Sequence, residues 1–192
     1  MSDWLALPDD LPAPEDDGAA DHLTGMALPS VPLPSTDGST VDLAERSLAG
    51  RLVVYAYPRT GVPGEPSLVA DWDDIPGARG CTPESCGFRD EYAELRELGV
   101  TVFGLSTQDT AYQSEVADRL ALPFALLSDE HHALTEALRL PTFDVAGQRL
   151  LRRLTLVLTA GRVEHVWYPV FPPDAHAREV LRWLQGHRTP TA

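Results

Sequence analysis

The run RLVVYAYP, Arg51 to Pro58, constrains this chain more than any other stretch. Leu52 to Tyr57 are apolar without alternation, so a strand made from them needs cover on both faces. Pro58 ends it, because proline has no N–H to give to a ladder. The cover is available downstream. From Thr82 the residues Phe88, Tyr92, Leu95 and Leu98 recur at helical spacing, and Gly99 stands where a C-cap glycine belongs. VTVFGLS is a second strand, Asp109 caps a helix through Tyr112, Val116 and Leu120, FALLSD is a short strand, and a helix runs from His132 to Leu138. LRRLTLVLTAGRVEHVWYPV is a hairpin about Ala160-Gly161. Pro173-Asp174 then opens a last helix, with Val180, Leu181 and Leu184 facing inward and Gly186 ending it. Strands alternating with helices and closing on a hairpin predict a three-layer α/β fold, a mixed central sheet with helices on both faces.

A length of 192 residues suits one domain. The opening 25 residues are rich in Asp, Glu, Pro and Ala and read as a flexible acidic extension, with a folded domain over 26–187 and a short tail over 188–192. Asp37-Gly38 is a turn between two short extended stretches. The span Gly61 to Gly80 has no clear period and is a long loop of the kind that carries function. A net charge of −14 argues against nucleic acid and anionic membranes as partners. No run approaches the roughly 18 apolar residues of a membrane span, and the start lacks the pattern of a signal peptide. A cytoplasmic protein is the expectation, and in that compartment a cysteine pair is more often catalytic or metal-binding than structural.

Both cysteines lie in RGCTPESCGFRD. Cys81 precedes Thr82-Pro83, where Thr82 can cap a helix and Pro83 suits its first turn, so its sulfur faces unpaired N–H groups and the positive end of the helix dipole. A thiol near pKa 8.5 needs a drop of about two units, or about 2.7 kcal/mol, to be mostly thiolate at neutral pH, and a helix end typically supplies about 0.3 to 1. A cation is therefore required. Arg79, Arg89 and the pair Arg152-Arg153 are the candidates.

Cys86 follows five residues later, an axial rise of about 7.5 Å in a continuous helix. That exceeds the roughly 7 Å limit for a disulfide, so the two bond only if the first turns unwind. Spacing alone also admits a plainer pair: Cys86 as a small core residue and Cys81 as an inert loop thiol. A zinc site lacks ligands, since His131 and His132 are adjacent and point to different faces.

The order of strand, YP, GCTPESCGFRDEYAELRELGVTVFGLST, LPFALLSDEHHALTEALRL, and RLTLVL with a glycine turn and VEHVWYP resembles the peroxiredoxins, nearest to the peroxiredoxin Q or bacterioferritin comigratory protein subfamily. The likeness covers Leu28 to Gly186 and is most specific from Gly80 to Asp90. It implies a thioredoxin-like fold and reduction of hydrogen peroxide or organic hydroperoxides without metal or bound organic cofactor. It implies a peroxidatic role for Cys81, a resolving role for Cys86, and Arg153 as the arginine that holds thiolate and peroxide. Its partners are a hydroperoxide and a thioredoxin-like reductant. It leans toward a monomer and leaves a dimer open. A non-catalytic redox sensor or binding module using the same disulfide switch is the alternative.

One motif departs from the family. Pro58 matches the proline after the strand, but the threonine three residues ahead of the peroxidatic cysteine is replaced by Ala78, and an insertion over 61–78 separates the two halves of the loop. Thr60 is the candidate to fold back and supply the hydroxyl. Trp72, in the middle of the insertion, is placed to cap the pocket and alter substrate choice.

Overall fold

The computed structural model describes Leu7, Pro8 and residues 10–187. The short hairpin of β1 (Pro32–Pro34) and β2 (Thr40–Asp42) turns at Asp37-Gly38 and leads into the one-turn helix α1 (Leu43–Arg46), capped by the Asp42 carboxylate. The apolar run forms β3 (Leu52–Ala56). After a long loop come α2 (Cys81–Asp90), α3 (Tyr92–Glu97), β4 (Thr101–Ser106), α4 (Thr110–Arg119), β5 (Leu126–Ser128) and α5 (Ala133–Leu138). Two hairpins follow, β6 (Thr142–Val145) with β7 (Gln148–Leu151), then β8 (Leu154–Thr159) with β9 (Arg162–Trp167), before α6 (Pro173–Gly186).

The five-stranded sheet runs β5-β4-β3-β8-β9, with β3 central, parallel to β4 and antiparallel to β8. Strand pleating sends Leu52, Val54 and Ala56 into one core with Leu43 of α1 and Leu134 and Leu138 of α5. Val53, Tyr55 and Tyr57 point the other way, against Phe88, Leu95, Val116, Val180 and Leu184 from α2, α3, α4 and α6. This is why the run shows no alternation: both of its faces are dry. Gly104 on β4 leaves the room that the Tyr55 phenol fills, since a Cβ there would lie 2.8 Å from the Tyr55 hydroxyl oxygen.

Three local expectations change. The helical span from Thr82 to Leu98 divides at Glu91, whose ψ of 5° ends α2 before α3 begins. Thr82 is not the cap of α2, because Cys81 is already helical and Gly80 occupies the cap position with a φ of 106°. A Cβ on Gly80 would collide with Pro173, so packing against the start of α6 sets the helix entry. The β6–β7 hairpin fills the span between Leu138 and the LRRLTLVL strand, for which no element is predicted; its Ala146-Gly147 turn has two positive φ values, 50° and 74°, within a degree of those of the Ala160-Gly161 turn, 49° and 73°.

The described part of the acidic extension packs on the body. Leu23 is fully buried and Ala20 nearly so. Gly25 N–H donates to Val163 O at 2.8 Å, Ala27 bridges to Arg162 beside β9, and the Tyr168 hydroxyl donates to Asp17 at 2.8 Å. The folded body therefore begins before residue 26. Acidic composition concealed this, because a few apolar side chains and backbone hydrogen bonds suffice to dock such a segment. Residues 1–6, 9 and 188–192 lie outside the described residues.

Candidate active site

Cys81 is the first residue of α2 and is 3% exposed. The Arg153 guanidinium, delivered from the loop between β7 and β8, reaches it across the sheet end: Nη2 donates to Cys81 Sγ at 3.2 Å. The same nitrogen lies 3.1 to 3.4 Å from the carbonyl oxygens of Gly77, Ala78 and Arg79, which ties the arginine to the loop entering the helix. Its Nη1 donates to the carboxylate of Glu84. Arg153 and Glu84 are both buried, and both keep unpartnered atoms among the described residues, Arg153 Nε and Glu84 Oε1.

Two groups pull the Cys81 thiol toward ionisation, the Arg153 guanidinium and the Arg59 backbone N–H. Burial outweighs them and pushes the thiol above its ordinary value, with the nearby Glu84 adding to the rise. Burial also lifts Glu84 to about 7, although Arg153 pulls it down. The expectation of a thiolate held by helix end and one cation omits this second acid. Cys86, one and a half turns further on α2, is a buried thiol raised by desolvation and drawn down by Arg89. The two thiols are unbonded and sit in one unbroken helix.

The insertion builds the approach to the sulfur. Trp72 is 7% exposed and packs with Ala78 and Leu150, with Leu68, Val69, Ile75, Phe143 and Val145 around them. The β6–β7 hairpin is thus the floor on which the insertion rests. The cleft of about 270 Å³ that reaches Cys81 is lined by Arg59, Gly61 to Ser67, Trp72 and Arg79 to Pro83.

A family model described as Redoxin matches residues 23–181. Peroxiredoxin Bcp of Escherichia coli (strain K12) is 33% identical over 172 residues, covering 85% of this chain and 96% of that protein. The chloroplastic peroxiredoxin Q of Oryza sativa subsp. japonica is 32% identical over 163 residues, covering 84% and 66%. The crystal structure of peroxidoxin BcpB from Mycobacterium tuberculosis superposes with a TM-score of 0.70 at 27% identity, covering 88% of this chain and all of that one. The chain belongs to the redoxin family, among its peroxiredoxins. Its fold is their thioredoxin-like one, five strands with helices on both faces.

Of the residues singled out in the sequence, the fold brings Cys81, Arg153 and the segment after Pro58 together. Pro58 is buried, and the N–H facing the sulfur comes from Arg59, the next residue. Thr60 goes elsewhere: its N–H and its hydroxyl both donate to Gln108 Oε1, at 2.9 and 3.0 Å, so its proton is committed away from Cys81. The cause is local, since Gln108 and Tyr112 return bonds to the Thr60 carbonyl and lock the residue against α4. Among the other cations, Arg79 pairs with Asp73 and Arg89 with Asp90.

Sequence reasoning missed Glu84 and His176. Glu84 stands one turn after Cys81 on the same helix, a spacing that carries a signal only once the helix start is known to be buried. His176 stands on the buried face of α6 with Nε2 2.9 Å from Thr155 Oγ1, and burial lowers it to about 4. Among the described residues no group of three His, Cys, Asp or Glu side chains could hold a metal ion, and no helix is long and apolar enough to cross a membrane.

Proposed function

We propose that Cys81 is the peroxidatic residue of a two-cysteine peroxidase acting on hydrogen peroxide and organic hydroperoxides. The thiolate attacks the terminal oxygen, the O–O bond breaks, and Cys81 becomes a sulfenic acid while water or an alcohol leaves. Arg153 supplies a fixed positive charge, and the Arg59 N–H a fixed dipole, where negative charge develops. The first turns of α2 then unwind, Cys86 attacks the Cys81 sulfur with loss of water, and an external dithiol such as thioredoxin reduces the disulfide. The observation that carries this reading is the 3.2 Å contact of Arg153 Nη2 with the Cys81 sulfur at the head of α2.

The test is free-thiol count and intact mass after one equivalent of hydrogen peroxide is added to the fully reduced protein, followed by peptide mapping. Rapid loss of both thiols with a Cys81 to Cys86 crosslink is expected, and Cys81→Ser should be inert. Two persistent free thiols, or turnover by Cys81→Ser, would overturn the assignment.

A further inference from the structure

Among the described residues the cation on the Cys81 sulfur is Arg153, and it is shared. Glu84 lies three residues along α2 and so on the same helix face, and Arg153 holds both side chains, Nη2 on the sulfur and Nη1 on the carboxylate. Cys81 is 3% exposed, Glu84 0% and Arg153 3%, so no bulk water screens the group. Two anions on one buried guanidinium repel each other, and an unmatched guanidinium is equally costly. The balanced arrangement is one anion, which can sit on either acid.

We propose that Glu84 is the proton-holding partner of Cys81: through the guanidinium they share, Glu84 holds a proton whenever Cys81 is the thiolate, and gives it up when the peroxide bond breaks. The inference rests on the peroxidatic role of Cys81. Its steps balance without an outside acid or base. Cys81–SH and Glu84–COO⁻ become Cys81–S⁻ and Glu84–COOH, with no change in the net charge of the buried trio. The thiolate and ROOH then give Cys81–SOH and RO⁻, and RO⁻ takes the Glu84 proton to leave as ROH. The carboxylate is restored, paired with Arg153 beside an uncharged sulfenic acid.

Two further observations agree. Glu84 Oε1 is buried and has no hydrogen-bond partner among the described residues, which is a costly place for a bare carboxylate oxygen and is relieved by a proton. Burial raises Glu84 to about 7, within reach of a proton at neutral pH. The remaining ionisable groups around the trio do not compete there. Tyr55 on β3 and Tyr57 just after it are pushed upward by burial and stay un-ionised, and His176 from α6, lowered to about 4 by burial, stays neutral.

The test uses the Cys86→Ser protein, so that one thiol remains, with and without Glu84→Gln, which keeps the size and an acceptor for Arg153 but never ionises. Thiolate absorbance against pH should rise in two steps with Glu84 and in one step, at lower pH than the upper of the two, with Gln. The pH profile of oxidation by hydrogen peroxide should follow the same change of shape. Unchanged titration with a uniformly slower reaction would make Glu84 a strut and overturn the proposal. Should Glu84→Gln fail to fold, the infrared carboxyl band of the Cys86→Ser protein, followed against pH beside its thiolate absorbance, decides. A carboxyl band that disappears over the same two steps as the thiolate rises is expected, and one that disappears in a single step of its own overturns the proposal. Cys81→Ser in parallel separates the failures, since peroxide consumption by that variant would sink the peroxidatic assignment itself.

Discussion

Arg153 Nη2 lies 3.2 Å from the Cys81 sulfur, the junction of two segments 72 residues apart, while Nη1 of the same guanidinium holds Glu84. One planar fork thus serves two acids at once, which a lysine ammonium cannot reproduce. Arg153→Met should slow oxidation of Cys81 by hydrogen peroxide about 10²- to 10³-fold, the usual cost of one lost oxyanion donor. Arg153→Lys should recover only part of that loss. Stopped-flow tryptophan fluorescence on reduced protein measures both.

Cys86 is not bonded to Cys81 and is not among the groups that shift its thiol, so its removal should spare the first oxidation. Cys86→Ser is expected to react with hydrogen peroxide within about twofold of the wild-type rate, since a substitution away from the reacting groups changes little. It should accumulate sulfenic acid at Cys81, form no intramolecular disulfide, and lose turnover coupled to thioredoxin. Dimedone labelling with peptide mass mapping reports the sulfenic acid, and a coupled NADPH assay reports recycling.

Trp72 is the largest side chain that joins the insertion to the β6–β7 hairpin, 6.5 Å between ring centroids from Phe143. Trp72→Ala should cost about 3 kcal/mol of stability, at the low end for a buried aromatic because the cluster is small. Since Trp72 also lines the cleft, kcat/KM should change more for a bulky organic hydroperoxide than for hydrogen peroxide. Equal changes for both substrates would mean that the insertion does not shape access.

His176 and Glu84 give opposite pH dependences to folding. His176 falls from 6.5 in the unfolded chain to about 4 when buried, so the unfolded state binds more protons between these values and stability is lost as pH drops from about 6.5 to about 4. Glu84 rises from 4.5 to about 7, so its contribution is present at low pH and is lost as pH climbs from about 4.5 to about 7. The wild-type curve should be nearly flat over their overlap. His176→Gln should expose a fall in stability with rising pH and Glu84→Gln a rise, each approaching about 1.4 kcal/mol per pH unit for one proton. Urea unfolding at a series of pH values measures the slopes.

Much of the fold is legible locally. The apolar run Leu52 to Tyr57 declares a two-sided strand, Asp109 declares a helix start that its carboxylate caps at 2.8 Å, and Ala160-Gly161 declares a hairpin. Each depends on neighbours within a few residues, where periodicity and turn geometry act. Ala146-Gly147 carries the same turn signal, but its flanking strands are short and polar on one face, so the hairpin under the insertion stays hidden until the Trp72 cluster is seen.

Local spacing places a cysteine at a helix start, puts a second too far along the helix to bond without unwinding, and leaves the cation to come from elsewhere. Those conclusions follow from helix geometry and the energy needed to ionise a thiol. Tertiary packing alone brings Arg153 against the Cys81 sulfur, lets Glu84 share it, turns the Thr60 hydroxyl to Gln108 and seats residues before 26 on the body. Burial is the cause: what a charge costs and which partner it keeps depend on the surfaces that close around it, and residues distant in sequence bring those surfaces together.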